Sequence, residues 1–291
     1  MIALLTLLAG CGGEAKPVDT APDLSVCDGG PSHVMIFNTL GFVRHEGGTS
    51  EGFDLDGHVS DDGDEEGCYH EDLVSPGGVE GIDNAFAGLL PVLETTEARI
   101  VETLIQQSVN RGDILLAMEL EDVDSFENDG CVNVALVQAS GPVLLGTDGS
   151  ILPGQTFERD PSIPVTRIEG ATIEDGVLRI RGLDFRLLVS VIGTEVDLTL
   201  EKGSFDVRLH EDGTAEGILG GGLRVARLDA FIDTIATDIR DLAKTLVHQA
   251  ADMEPGVNAE GEVECATMSA TMRFTTTTGF FFEDVADTGT P

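Results

Sequence analysis

The chain has 291 residues, with 53 Asp and Glu against 16 Lys and Arg, and a formal charge of −37. A surface this acidic repels polyanions, which excludes nucleic acid and anionic lipid headgroups as partners. Two readings of the charge remain, cation binding or solubility in a salty medium, and the length suffices for one large domain or two small ones.

In chain order, the first ten residues (MIALLTLLAG) are uncharged and are followed by Cys11. The stretch Leu8-Ala9-Gly10-Cys11 resembles the lipobox of bacterial lipoproteins, a large apolar residue and two small ones before the cysteine that receives the lipid. That resemblance covers the first eleven residues. It implies a signal peptide over 1–10 and a lipid on Cys11. It also implies an address in the bacterial cell envelope, on its periplasmic or extracellular face, with a membrane touched only through that lipid. No Lys or Arg precedes Lys16, so the basic n-region is missing and the signal reads as truncated at its start. Residues 11–26 carry the anchor and are small, polar and Pro-containing, the composition of a flexible tether. No later run is apolar over the length of a membrane span.

The folded domain is expected over 27–282, with any internal boundary near 150–165 and a disordered tail over 283–291. Four cysteines remain after Cys11: Cys27, Cys68, Cys131 and Cys265. An even count in an exported chain reads as two disulfides, with three connectivities open. Neighbours in sequence suggest Cys27–Cys68 with Cys131–Cys265. No CxxC pair supports a zinc ribbon, a thioredoxin motif or haem attachment.

HVMIFNTLGFVR (33–44) reads as the first strand. Asp83 can cap a short helix carrying Phe86, Leu89, Leu90 and Leu93, interrupted near Pro91. Thr95 or Thr96 can cap a second, with Ile100, Leu104, Ile105 and Val109 at helical spacing. Residues 113–121 and 131–140 read as strands. Short alternating runs follow at 177–181, 185–191, 195–200, 205–210 and 214–220, a meander punctuated by Gly193, Lys202-Gly203 and Asp212-Gly213. Asp-Gly is a strong hairpin signal, because it accepts the positive φ of a type I′ turn. In GILGGGLR (217–224) the glycines read as a tight strand-to-helix turn. Val225, Leu228, Ile232, Ile235, Ile239, Leu242 and Leu246 then form one helical stripe, suited to packing on the sheet or to a coiled-coil seam. A last strand at 266–274 extends into Phe280-Phe281-Phe282. The fold class that follows is α+β and β-rich. It has an antiparallel meander or sandwich-like sheet, one long amphipathic helical segment and a short helical pair.

The segment with the most chemistry is DLDGHVSDDGDEEGCYHED (54–72), in which nine of nineteen residues are acidic and none is Lys or Arg. Crowded carboxylates repel each other unless a cation or solvent intervenes. Gly-punctuated, oxygen-rich loops suit calcium, which takes six to eight hard ligands. Asp62, Asp64, Glu66 and Gly67 fall at positions 1, 3, 5 and 6 of a calcium-hand loop, with Leu73 where its last acid belongs. The stretch 54–68 also resembles a thrombospondin type 3 calcium repeat, present in a single copy. The candidate ligands are Asp54, Asp56, Asp62, Asp64 and Glu66.

His58, His70 and Cys68 form a poor zinc signature, and an oxidised Cys68 cannot ligate. Arg179, Arg181 and Arg186 are expected to pair with acids on neighbouring strands. No GxSxG, HExxH or P-loop occurs, and with no Trp and only Tyr69 the chain lacks the aromatic platforms of sugar hydrolases. The expected role is non-enzymatic, structural or binding. A small-molecule or lipid carrier with an apolar cavity and a secreted hydrolase are the alternatives.

Overall fold

A computed structural model describes residues 27, 30–95, 101–191, 194–235 and 240–282, without the side chains of 101, 187–198 and 235. Cys11, the stretches 1–10 and 11–26, the tail 283–291, Ile100, Gly193 and Ile239 lie outside it, as does the side chain of Ile235.

Ten strands occur among the described residues: β1 (His33–Phe42), β2 (Leu116–Glu121), β3 (Asp129–Ser140), β4 (Gln155–Arg159), β5 (Thr166–Glu174), β6 (Val177–Val191), β7 (Thr194–Leu209), β8 (Ala215–Arg224), β9 (Met253–Val257) and β10 (Val263–Phe281). The helices are α1 (Ala85–Glu94), α2 (Val101–Arg111), α3 (Val225–Ile235) and α4 (Arg240–Ala250). The β-rich reading holds, but the sheet is not an open sandwich. β1, β2, β3, β5, β6, β7, β8 and β10 pair in that order, antiparallel throughout, and β10 returns to β1 to close an eight-stranded barrel. Closure leaves no free edges among these eight strands. It also draws strands from both sides of 150–165 into one barrel, through β3 with β5 and β1 with β10. β4 lies parallel to β10 and antiparallel to β3, and β9 pairs with the start of β10.

The barrel strands are long because bulges join runs that read as separate in sequence. The runs at 177–181 and 185–191 are one strand with an irregularity at Gly182-Leu183, and Lys202-Gly203 is a bulge inside β7 rather than a turn. Bulges bend and coil strands, which a closed barrel needs. Met35, Phe37, Leu120, Leu178, Phe205 and Phe274 belong to the large core cluster, each at most 3% exposed. The Asp212-Gly213 hairpin forms, but only Gly213 of the pair is at positive φ, so its turn is not type I′.

The long amphipathic segment is two helices. Val225, Leu228 and Ile232 of α3 are buried, but Leu242 is half exposed, and α4 instead buries Val247 and Ala250. Each helix chooses its own face, so the described residues of the stripe do not all share one buried face. With Met268 of β10 and Phe86 and Leu89 of α1, these residues form a second core outside the barrel. At α1, Thr95 closes the helix by donating its hydroxyl to the Val92 carbonyl, and the helix runs through Pro91. Asp83 is not its cap; Asn84 holds that position and makes no side-chain cap bond.

Both disulfides form, with pairings other than those suggested by proximity: Cys27–Cys131 and Cys68–Cys265. Cys131 opens β3, whereas Cys68 lies in the acidic segment that docks beside the start of β10, where Cys265 sits. Tertiary neighbourhood, not sequence spacing, decides. Two disulfides belong to a chain that folds in an oxidising compartment. Among the described residues no helix is long and apolar enough to cross a membrane.

Candidate acidic site

Residues 45–84 contain no strand longer than an isolated bridge, such as Phe53 with Asp83 or Leu73 with Ile82. They form a strap laid on the outer face of β8 and β10. Beside the Arg273–Glu51 ion pair and the Thr271 amide donating to Asn84 Oδ1, three devices hold it there. Phe53 packs with Leu55 and Met253 as a small core of its own, and the Arg181 guanidinium stacks 4.8 Å above its ring. The glycines of β8 give Phe53 its seat: a Cβ on Gly220 would lie 2.7 Å from the ring, and one on Gly222 would strike Thr267. These glycines therefore lie inside a strand, where the expected strand-to-helix turn does not occur. The Cys68–Cys265 disulfide supplies the third tie.

With no ladder to occupy its amides, the strap uses its acids. Asp54 accepts from the Gly57 amide, Asp56 from His58, Asp61 from Gly63, Asp64 from Glu66, and Asp72 from Ser60. Such local side-chain acceptors are the usual substitute for regular structure. Asp83 does the same from the far end, accepting from Leu55 (2.6 Å) and Asp56 (3.4 Å).

This brings Asp54, Asp56 and Asp83 together, with carboxylate oxygens within 4.8 Å of one another. Among the described residues it is the one group of three or more metal-ligating side chains so placed. Asp54 and Asp56 each use one oxygen on a single backbone amide, and Asp83 uses one oxygen on two. None of them forms an ion pair among the described residues. Asp83 is 2% exposed, and burial pushes its carboxyl up to about 8, helped by the neighbouring charges of Asp56, Asp252 and Asp72. A cation would relieve both the burial and the repulsion, and an all-oxygen donor set is what calcium prefers.

Of the five sequence candidates, Asp54 and Asp56 stand in this group. Asp64 and Glu66 instead flank His58, at 2.6 Å from Nε2 and 3.4 Å from Nδ1. The bond to Asp64 raises the His58 pKa and lowers that of Asp64. Asp62 lies outside both groups. Cys68 is oxidised, so the set His58, His70 and Cys68 has lost its sulfur ligand. Sequence reading missed Asp83 as a ligand because an acid before a helix reads first as a cap. No local pattern in the sequence marks it. Of the strand arginines, Arg181 pairs with Asp206 at 2.6 Å and Arg179 reaches Glu174 at 3.8 Å.

Beneath the strap, Asp252 is 6% exposed and accepts hydrogen bonds from the Ser269 amide and hydroxyl. The Ser269 oxygen in turn accepts from the Ala85 amide at the start of α1. Burial pushes the Asp252 carboxyl up to about 7, against the pull of the Ser269 bonds.

No protein-family model, curated protein or solved structure matches this chain.

Proposed function

We propose that the chain is an exported, lipid-anchored envelope protein with a non-enzymatic structural or binding role, whose acidic strap is organised by calcium. The observation that carries the calcium reading is the Asp54, Asp56 and Asp83 group. It holds three carboxylates at close range, one of them buried, and none of the three forms an ion pair among the described residues. Backbone carbonyls and water complete the shell, and the acidic strap around it lowers the free energy of a divalent cation there. Outside the cell a dissociation constant on the order of 0.1 to 1 mM is enough. The lipid anchor rests on the Leu8-Ala9-Gly10-Cys11 motif.

Calcium at ten times its dissociation constant adds about 1.4 kcal/mol to folding by mass action. Melting should rise with calcium beyond a sodium chloride control of matched ionic strength, and Asp54→Asn with Asp56→Asn should abolish the difference. Asp62→Asn with Asp64→Asn separates the sites: it should leave most of the calcium shift in place. Equal shifts from calcium and the salt control would reduce the strap to a solvated acidic surface. For the anchor, a clickable fatty acid should label the protein expressed behind a full signal, and Cys11→Ser should remove the label. Persistent labelling of that variant would refute the anchor.

A further inference from the structure

A half-open cavity of about 250 Å³ lies where the strap, α1 and the α4–β9 junction meet. Leu73, Ile82 and Leu89 make its apolar wall. Its polar groups are Glu71, Asp72, Asp252, His45, His70 and Asn84, with no Lys or Arg among the lining residues. Two of these groups are unusual. Asp252 is a carboxylate more than nine-tenths buried, and the Nδ1 of His45 is buried without a hydrogen-bond partner. Buried polar atoms are ordinarily satisfied, so an orphan at the wall of a cavity marks a place for a partner from outside.

Gly88 adds an independent sign. It lies inside α1 and lines this cavity, where glycine weakens a helix relative to alanine. No crowding requires it, because a Cβ there would meet nothing within 4 Å. A side chain there would stand at the exposed rim of the cavity.

From these observations we infer that the cavity binds a primary ammonium group on a short apolar stem. The ammonium donates to His45 Nδ1 in the field of the lining acids, and the stem lies on Leu73, Ile82 and Leu89. The volume is ample for a short alkyl chain. The carboxylates, unbalanced by any lining Lys or Arg, disfavour an anionic ligand. A free alkylamine and the side chain of a lysine carry the same chemistry. This inference does not depend on the calcium reading.

The test is calorimetric titration of the calcium-loaded full-length protein with n-butylammonium chloride, set against a sodium chloride control. One saturable site is expected. Gly88→Leu, which fills the mouth without touching a carboxylate and should fold well, is expected to weaken binding at least tenfold. Asp252→Asn should do the same. Asp62→Asn, an exposed acid that does not line the cavity, should leave it unchanged. Nα-acetyl-lysine methylamide binding more tightly than n-butylammonium would assign the ligand to a lysine side chain; the reverse order would assign it to a free amine. Heat no greater than the sodium control, or uptake indifferent to Gly88→Leu, would overturn the inference.

Discussion

The β5–β8 meander and the 45–84 strap lie in contact, yet they are held by different physics. In the meander, strand neighbours satisfy the backbone, and alternating side chains divide between core and surface. Phe205, Val207 and Leu209 are buried, while Asp206 and Arg208 point outward. The strap has almost no ladder. Its amides are satisfied by its own carboxylates, and its position by one aromatic ring, a glycine seat and a disulfide. The meander therefore carries its stability in many small, redundant bonds. The strap concentrates its own in a few, so single changes there should act locally and strongly.

The largest effect expected from that contrast is at the disulfide. The two bonds close separations of 104 and 197 residues, and loop-closure entropy assigns each about 5 kcal/mol, with about 2 to 4 more usual in practice. Cys68→Ser with Cys265→Ser should cost about 2 to 4 kcal/mol in denaturant melts. It should also raise hydrogen exchange selectively over 45–84 while β5–β8 stays protected. Uniform loss of protection would mean that strap and barrel unfold as one unit, and the distinction between them would fail.

Next in size is the seat. Gly220→Val places methyl groups where Phe53 lies, and overpacking of this kind costs about 1 to 3 kcal/mol. Phe53→Ala made together with it should recover part of that loss, since the intruding side chain then occupies the vacated space. A double variant no better than the sum of the singles would show that the glycine serves the strand and not the strap.

The same contrast explains what could be read from the sequence. Period-two alternation in 177–220 and the Asp212-Gly213 turn identify the meander, because both signals are local. Barrel closure depends on β1 meeting β10, with Val34 opposite Gly279, and no local pattern reports a pairing that distant. The glycines of 217–224 look like a turn until Phe53 is seen above Gly220. Asp54 and Asp56 were legible as ligands through the density of acids around them. Asp83 was not, because it reaches the site across a fold of the strap. The cysteine count gave two bonds, while their partners required the docking of strap on barrel. Each miss is a contact made by an irregular segment with something remote.

The smallest effect, per unit change, is in pH. Burial holds the Asp252 carboxyl near 7 in the folded protein, well above the ordinary carboxylate value. Between about pH 4 and 7 the native chain thus keeps a proton that the unfolded chain has released. Stability must fall as pH rises through that window, by at most about 1.4 kcal/mol per unit for this one group, and level off above it. Asp83, raised to about 8, acts in the same direction and extends the window upward when a chelator keeps calcium away. General repulsion among the surface acids has the same sign, but salt screens it, whereas buried groups are screened much less. Urea melts from pH 4.5 to 8.5 in chelator and 0.5 M sodium chloride should therefore retain a downward slope. Asp252→Asn should about halve the slope between pH 5 and 7, where Asp83 still contributes, and leave the part above pH 7 unchanged. If the slope vanishes in salt for the parent protein, surface repulsion accounts for all of it, and the buried acids beneath the strap contribute nothing to its pH response.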